Sequence, residues 1–145
     1  MRIYLDTSAL VPVYVPEALT SRAVGRLAAP DTVYVSWLTH VEICSALSRK
    51  IRTGELEQAQ ARRVLEAFAR HLESKAYEIL PLGQEVHSLA AEWLATFATS
   101  LRALDSLHLA CCRLFDLTLV TADEGLGQAA DHFGVSWEHL AAPPG

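Results

Sequence analysis

The fold is decided by the opening stretch, Met1-Arg-Ile-Tyr-Leu-Asp6-Thr-Ser-Ala-Leu-Val11. Residues 3–5 form a short apolar run of β-formers, which is typical of a strand buried on both faces. The run ends at Asp6, and the residues from Ser8 onward are predicted to form a helix. Aspartate caps helix N-termini, so capping is the simplest interpretation of Asp6 taken alone. A charge at the tip of a buried strand is costly, however, and an acid follows another apolar strand near the far end of the chain.

Composition indicates one globular domain. The 145 residues are 51% hydrophobic and 20% charged, which excludes a disordered chain. We predict one domain over residues 1–140, followed by a short tail over residues 141–145. No apolar run approaches the roughly 20 residues of a membrane helix, so we expect no membrane partner. The cysteines Cys44, Cys111 and Cys112 suit neither a disulfide framework nor a metal knuckle, so we expect small core residues in a cytoplasmic protein.

Apolar runs and helical patterns alternate along the chain. Strands are predicted at residues 3–5, 32–36, 77–80, 118–121 and 135–137. Helices are predicted at residues 8–14, 16–28, 38–52, 55–76, 84–97, 102–115 and 124–132. Because strands that alternate with helices form parallel sheets covered on both faces, the sequence predicts an α/β fold. We expect a three-layer α/β/α sandwich with a central, mostly parallel sheet of about five strands.

Four acidic residues are expected at one edge of this sheet. In parallel sheets, ligands collect at the carboxyl ends of the strands. Asp6 follows the first strand, Glu42 lies one to two helical turns beyond the second, and Asp123 follows the fourth. Asp105 reaches the same edge from the first turn of a helix, where the helix dipole favours a negative charge.

Each of these acids also has a purely structural interpretation. Thr39 and Glu42 have the spacing of a capping box. Asp123 matches a first-turn acid, and Asp105 could simply complement a helix dipole. These alternatives stay open for each residue, and the functional hypothesis depends on all four acids meeting.

Four carboxylates that crowd together stay ionised only if cations neutralise them. Because oxygen ligands select hard ions, the sequence predicts a site for Mg²⁺, with Mn²⁺ as the second option. Such a site suits phosphodiester hydrolysis. Asp6 and Asp105 are the predicted principal ligands, and Asp123 would bind directly or through water. Glu42 would complete the metal shell or orient the attacking water.

Three further residues are predicted to support the acids. Ser8 and Thr121 are candidate hydrogen-bond donors, because carboxylates that bind metals usually need such partners. His108 lies one helical turn after Asp105. We expect it to be a partly buried supporting residue and not a ligand, since nothing pairs with it at ligand spacing.

The net charge of −5 argues against a polyanionic substrate, but only −1 remains once the four site acids are set aside. Basic residues bunch at Arg49, Lys50 and Arg52, which could contact RNA. A solvated helix face is the simpler interpretation of each of them taken singly.

Four motifs resemble, in order, those of the PIN-domain ribonucleases. They are Leu5-Asp6-Thr7-Ser8-Ala9-Leu10, Val41-Glu42-Ile43, Leu104-Asp105-Ser-Leu-His-Leu-Ala110 and Leu119-Val-Thr-Ala-Asp123. The chain is most similar to the VapC-type toxins of bacterial toxin–antitoxin pairs, and it departs from the family at Ala122, where asparagine is common. The resemblance implies Mg²⁺- or Mn²⁺-dependent cleavage of an RNA substrate, a homodimer, and inhibition by a cognate antitoxin protein.

Two other functions stay open. One is a non-toxin PIN nuclease in RNA processing, and the other is a catalytically silent PIN-fold binding module. An aspartyl-phosphate phosphotransferase is disfavoured, because Ser8 stands two residues after Asp6, where that chemistry expects a second aspartate.

Overall fold

The computed structural model describes residues 1–144. Its strands are Arg2–Leu5 (β1), Thr32–Ser36 (β2), Glu78–Leu80 (β3), Thr118–Thr121 (β4) and Trp137–His139 (β5). Its helices are Thr7–Tyr14 (α1), Thr20–Leu27 (α2), Trp37–Arg52 (α3), Gln58–Glu73 (α4), Gln84–Leu94 (α5), Ala103–Phe115 (α6) and Glu124–Phe133 (α7). Residue 145 of the predicted tail lies outside the described residues.

The five strands form one parallel sheet in the order β3-β2-β1-β4-β5. Strand β1 lies at the centre, where Ile3 pairs with Val33 of β2 on one side and with Thr118 of β4 on the other. A parallel sheet brings the carboxyl ends of these three strands to the same edge. The predicted parallel sheet of about five strands is confirmed.

Two hydrophobic cores cover the two faces of the sheet, because successive side chains of a strand point to opposite faces. Ile3 and Leu5 pack with residues of α1, α3 and α4, including Ile43 and Phe68. Tyr4 points the other way, into a second core built by α5, α6 and α7. The opening apolar run therefore serves both cores, and the predicted α/β/α sandwich is confirmed.

The start of α3 differs from its prediction. Ser36, in extended conformation, caps the helix, and its backbone N–H donates to Thr39 Oγ1 at 3.2 Å. The predicted capping box between Thr39 and Glu42 is therefore wrong. Because the helix begins at Trp37, Glu42 falls in its second turn and takes no part in the cap.

Several other element bounds also shift. Strand β5 occupies 137–139 and not 135–137, because Gly134 in left-handed conformation ends α7 and the Val135 N–H bonds back to the carbonyl of Ala130. Helix α2 begins at residue 20 and α5 ends at residue 94, so both are shorter than predicted.

Burial separates the three cysteines. Cys111 and Cys112 are buried as predicted, whereas Cys44 is exposed on α3. Within residues 1–144, no helix combines the length and apolar character needed to span a bilayer.

Candidate active site

Asp6 lies at the carboxyl end of β1 and is 5% exposed. It caps α1 by accepting the backbone N–H of Ala9 at 3.1 Å. The same oxygen, Oδ1, accepts the Ser8 hydroxyl at 2.8 Å, and Oδ2 accepts the Thr121 hydroxyl at 2.7 Å. Burial raises the pKa of Asp6, although these hydrogen bonds oppose the shift. The capping interpretation is thus correct, and it leaves a buried carboxylate facing the end of β4.

The hydroxyls of Ser8 and Thr121 also tie two loops together. The Ser8 oxygen accepts the backbone N–H of Ala122 at 3.0 Å, and the Thr121 oxygen accepts that of Asp123 at 3.0 Å. Each hydroxyl therefore uses its hydrogen for Asp6 and its oxygen for the loop after β4. The loop that carries Asp123 is held against the end of β1.

Glu42 is fixed by two donors that come from different elements. Its Oε1 accepts the Thr7 hydroxyl at 2.8 Å and also bonds to Nε2 of His108. Partial burial would raise the pKa of Glu42, but the hydrogen bonds from His108 and Thr7 oppose it, and the pKa is lowered. Glu42 is therefore set to carry a negative charge at the sheet edge.

Asp105 lies in the first turn of α6 and is half-buried. Burial raises its pKa first, and the negative charges of Asp123 and Glu42 raise it further. Among the described residues, no hydrogen bond lowers the pKa of the Asp105 carboxylate. Asp105 therefore lies close enough to two other acids to be repelled by them, and the positive charge of Arg102 offsets part of this repulsion.

Asp123 is exposed and caps α7. Its Oδ1 accepts the backbone N–H groups of Gly125 at 2.9 Å and Leu126 at 3.2 Å. Asp123 is therefore the N-cap residue of α7 and not the first-turn acid that its spacing predicted, because the helix begins at Glu124. Only one of its two oxygens is used in the cap.

These residues suit a divalent ion in the type of their donor atoms and in their charge. The set consists of carboxylate oxygens, which Mg²⁺ and Mn²⁺ prefer, and the repulsion at Asp105 is what a cation would relieve. Across residues 1–144, no group of three or more histidine, cysteine, aspartate or glutamate side chains is arranged to hold a metal. Protein donors hold Asp6, Glu42 and Asp123 in their present orientations.

His108 is fully buried and not partly buried as the sequence predicted, and its hydrogen-bond partners were not predicted. The side chain is 1% exposed, and its Nδ1 lies 2.6 Å from the hydroxyl of Tyr4 in β1. The available signal was Tyr4 itself, since a tyrosine in a fully buried strand needs a hydrogen-bond partner.

The predicted RNA-binding residues lie at the last turn of α3. They follow Glu42 by seven to ten residues along the helix, a rise of roughly 10–15 Å. Lys50 pairs with Glu55 at 3.1 Å, and Arg52 donates to the Ser48 hydroxyl at 2.7 Å. Part of the basic group is therefore engaged locally, at a distance from the acids.

Comparison with known proteins finds a family match and similar folds. The family model described as the PIN domain matches residues 3–131. The crystal structure of FitAcB from Neisseria gonorrhoeae has a TM-score of 0.71 at 23% identity, covering 97% of this chain and 98% of that one. Comparison with curated proteins finds no match.

Two further solved structures share the fold. VapBC2 from Rickettsia felis, in a structure with a DNA fragment from its own promoter, has a TM-score of 0.70 at 17% identity. The match covers 96% of this chain and 98% of that one. The Mycobacterium tuberculosis toxin VapC20, described as cleaving the sarcin–ricin loop, has a TM-score of 0.68 at 18% identity, covering 88% and 94%.

Proposed function

The chain belongs to the PIN domain family, and on that premise we propose that it is a divalent-metal-dependent endoribonuclease that hydrolyses RNA phosphodiester bonds. The observation that carries the proposal is a contact at the sheet edge: the hydrogen bond from Thr121 to Asp6 holds the loop of Asp123 against the end of β1. The charges of Asp123 and Glu42 also raise the pKa of Asp105, which supports their proximity. Asp105 is thus repelled by two acids from distant parts of the chain, Glu42 and Asp123, and β1 delivers Asp6 to the same edge of the sheet. A divalent cation would neutralise such a site.

The four acids have distinct proposed roles. Asp6 and Asp105 would be the principal ligands of Mg²⁺ or Mn²⁺, with Asp123 binding directly or through water. Glu42 would complete the shell or orient the attacking water. When bound, the ion would lower the pKa of that water and stabilise the leaving oxygen. Ser8 and Thr121 would keep the Asp6 carboxylate oriented, which their hydrogen bonds to it support.

RNA affinity should depend on the metal, because an anionic site repels phosphate until a cation is present. We propose that Arg49, Lys50 and Arg52 contact the RNA backbone outside the catalytic edge. Replacing Arg49 and Arg52 by alanine should then raise KM for long RNA more than for a short oligonucleotide. If the substitutions leave the KM for long RNA and the KM for the short oligonucleotide at their wild-type values, these residues do not contact RNA.

We further propose that the chain is a cytoplasmic, homodimeric toxin with a cognate antitoxin protein. The support is similarity of fold to VapBC2 and to a toxin described as cleaving the sarcin–ricin loop. Expression of the chain alone should arrest growth, and expression of Asp105→Asn should not. Growth arrest by neither protein, together with RNA cleavage in vitro, would favour the alternative of a non-toxin nuclease in RNA processing.

A catalytically silent binding module is the second candidate. It is favoured by one observation, namely that residues 1–144 contain no ready-made group of three metal ligands. Such a module would bind RNA or a partner without cleaving it, and Mg²⁺ would not alter its thermal stability.

The decisive experiment compares two aspartates at opposite ends of α6. Purified wild type, Asp105→Asn and Asp116→Asn are incubated with RNA in Mg²⁺ or in EDTA, and the 5′ ends of the fragments are sequenced. Asp116 is exposed and occupies the left-handed cap of α6, a conformation that asparagine tolerates. We expect cleavage by wild type and Asp116→Asn in Mg²⁺ only. Identical fragments from Asp105→Asn would contradict the proposal.

A further inference from the structure

A chain of hydrogen bonds runs through the core to Glu42. Tyr4 is completely buried, and its hydroxyl lies 2.8 Å from Ser36 Oγ and 2.6 Å from His108 Nδ1. On the other side of the imidazole, Nε2 of His108 bonds to Glu42 Oε1. The chain joins β1, the cap of α3, α6 and the second turn of α3.

The partners of the ring assign the hydrogens without requiring a charge on His108. The Tyr4 O–H donates to Nδ1, and Nε2–H donates to the carboxylate of Glu42, while the Ser36 hydroxyl donates to the Tyr4 oxygen. Both ring nitrogens are thereby used. His108 has no free nitrogen for a metal or for substrate.

We propose that His108 is a positioning residue that holds the Glu42 carboxylate at the catalytic edge. Glutamate has three rotatable side-chain bonds, and Glu42 lies on a helix face that is only partly buried. His108 and Thr7 anchor Oε1, so the described hydrogen bonds of this carboxylate leave Oε2 unengaged. That oxygen is the one available to a cation or to water. This inference rests on the proposed nuclease function.

Strand β1 then positions two of the four acids. Asp6 directly follows the strand, and Tyr4 within it fixes the imidazole that holds Glu42. The Tyr4 and His108 rings lie 5.5 Å apart between centroids, in a part of the core where both are almost inaccessible. A ring locked in this way has little freedom to release the carboxylate.

The test replaces His108 by glutamine or by asparagine, whose side-chain amides reach the positions of different imidazole nitrogens. In His108→Gln the amide reaches the region of Nε2 and can donate to Glu42. In His108→Asn the amide reaches only the region of Nδ1 and loses Glu42. We expect His108→Asn to lower kcat by about 10–100-fold with KM little changed, and His108→Gln to lose much less. Mn²⁺ affinity, measured by calorimetry, should fall by a similar factor in His108→Asn and be largely restored in His108→Gln.

Thr7→Val and Thr7→Ser form a second pair outside the core, in case the histidine variants do not fold. The valine removes the other donor to Oε1, whereas serine keeps the hydroxyl. We expect the valine to weaken Mn²⁺ binding and the serine to preserve it.

The outcomes separate this inference from the proposed function. Equal loss in His108→Gln and His108→Asn, or no loss in either, would overturn the positioning role while wild-type cleavage upholds the nuclease. If the wild type cleaves no RNA, the nuclease proposal fails. The Mn²⁺ affinities of the four variants would still decide whether His108 and Thr7 position Glu42.

Discussion

The hydroxyl of Thr121 lies 2.7 Å from Oδ2 of Asp6, which joins residues 115 positions apart in the sequence. Thr121 is the last residue of β4 and Asp6 directly follows β1, and these two strands pair in the sheet. The hydrogen bond therefore joins the carboxyl ends of β1 and β4 inside the protein, since Thr121 is completely buried and Asp6 nearly so.

Thr121→Val tests this contact with a side chain of similar shape. Because the valine cannot donate to Asp6 or accept from the Asp123 N–H, we expect destabilisation by about 1–3 kcal/mol. If Asp6 acts as proposed, cleavage should also fall by about 10–100-fold. Urea unfolding and RNA cleavage would be measured beside Thr121→Ser, which keeps the hydroxyl. A serine variant as impaired as the valine variant would show that packing, and not the hydrogen bond, matters here.

Asp105→Asn should increase stability in the absence of divalent ions. Burial and two acidic neighbours raise the pKa of Asp105, so the folded protein binds this proton more tightly than the unfolded chain. Asp105 therefore stabilises the folded protein at low pH. This contribution is lost as the pH rises from the ordinary aspartate pKa through the raised pKa of Asp105. The free energy of unfolding would be measured with urea in EDTA at about pH 4.5 and about pH 7.5. It should fall less between these pH values in the variant than in the wild type. The same pH dependence in both proteins would contradict the repulsion.

Mg²⁺ should raise the melting temperature of the wild type by binding the folded state only. Asp105→Asn should respond much less, because a proposed principal ligand and its charge are gone. Thermal melts with and without Mg²⁺ make the comparison, with Asp116→Asn as the matched control. A wild type indifferent to the ion would count against the metal site.

Asp123 is predicted to have two separable roles. Asn caps helices about as well as Asp, so Asp123→Asn should keep the cap of α7 and change stability little. Asp123→Ala should cost about 1 kcal/mol by removing the acceptor for Gly125 and Leu126. Both variants should lose cleavage if the carboxylate is a ligand. Full activity of Asp123→Asn would restrict this residue to capping.

Gly127→Ala should destabilise the fold without any change in charge. A methyl group at this buried position of α7 would overlap the Trp137 ring, which is itself held by a hydrogen bond to Asp131. Overpacking of this kind costs about 1–3 kcal/mol. Gly25→Ala is the control, because open space surrounds that position in α2 and alanine favours a helix by about 0.5–1 kcal/mol. Equal stability of the two variants would contradict the packing argument.

Local sequence patterns predicted most of the secondary structure and the cap of α1, but not the cap of α3. All five strands and all seven helices were expected, and the family resemblance is confirmed by the match over residues 3–131. The cap of α3 was misassigned because Thr39 and Glu42 have suitable spacing, as does the pair Ser36 and Thr39. Residue spacing alone does not show which of these two overlapping pairs caps the helix. The structure does, because β2 ends at the buried Ser36 and the helix begins at the next residue.

The sequence by itself determined the parallel sheet and the delivery of acids to one of its edges, because apolar periodicity and strand ends are local properties of the chain. Tertiary structure alone decided which groups touch Glu42, whereas Ser8 and Thr121 could be predicted as donors from the sequence. Tyr4 meets His108 across 104 positions and His108 meets Glu42 across 66, contacts that exist only because two cores pack on opposite faces of β1. A hydrogen bond depends on distance and direction in space, and these follow from packing that no local pattern records.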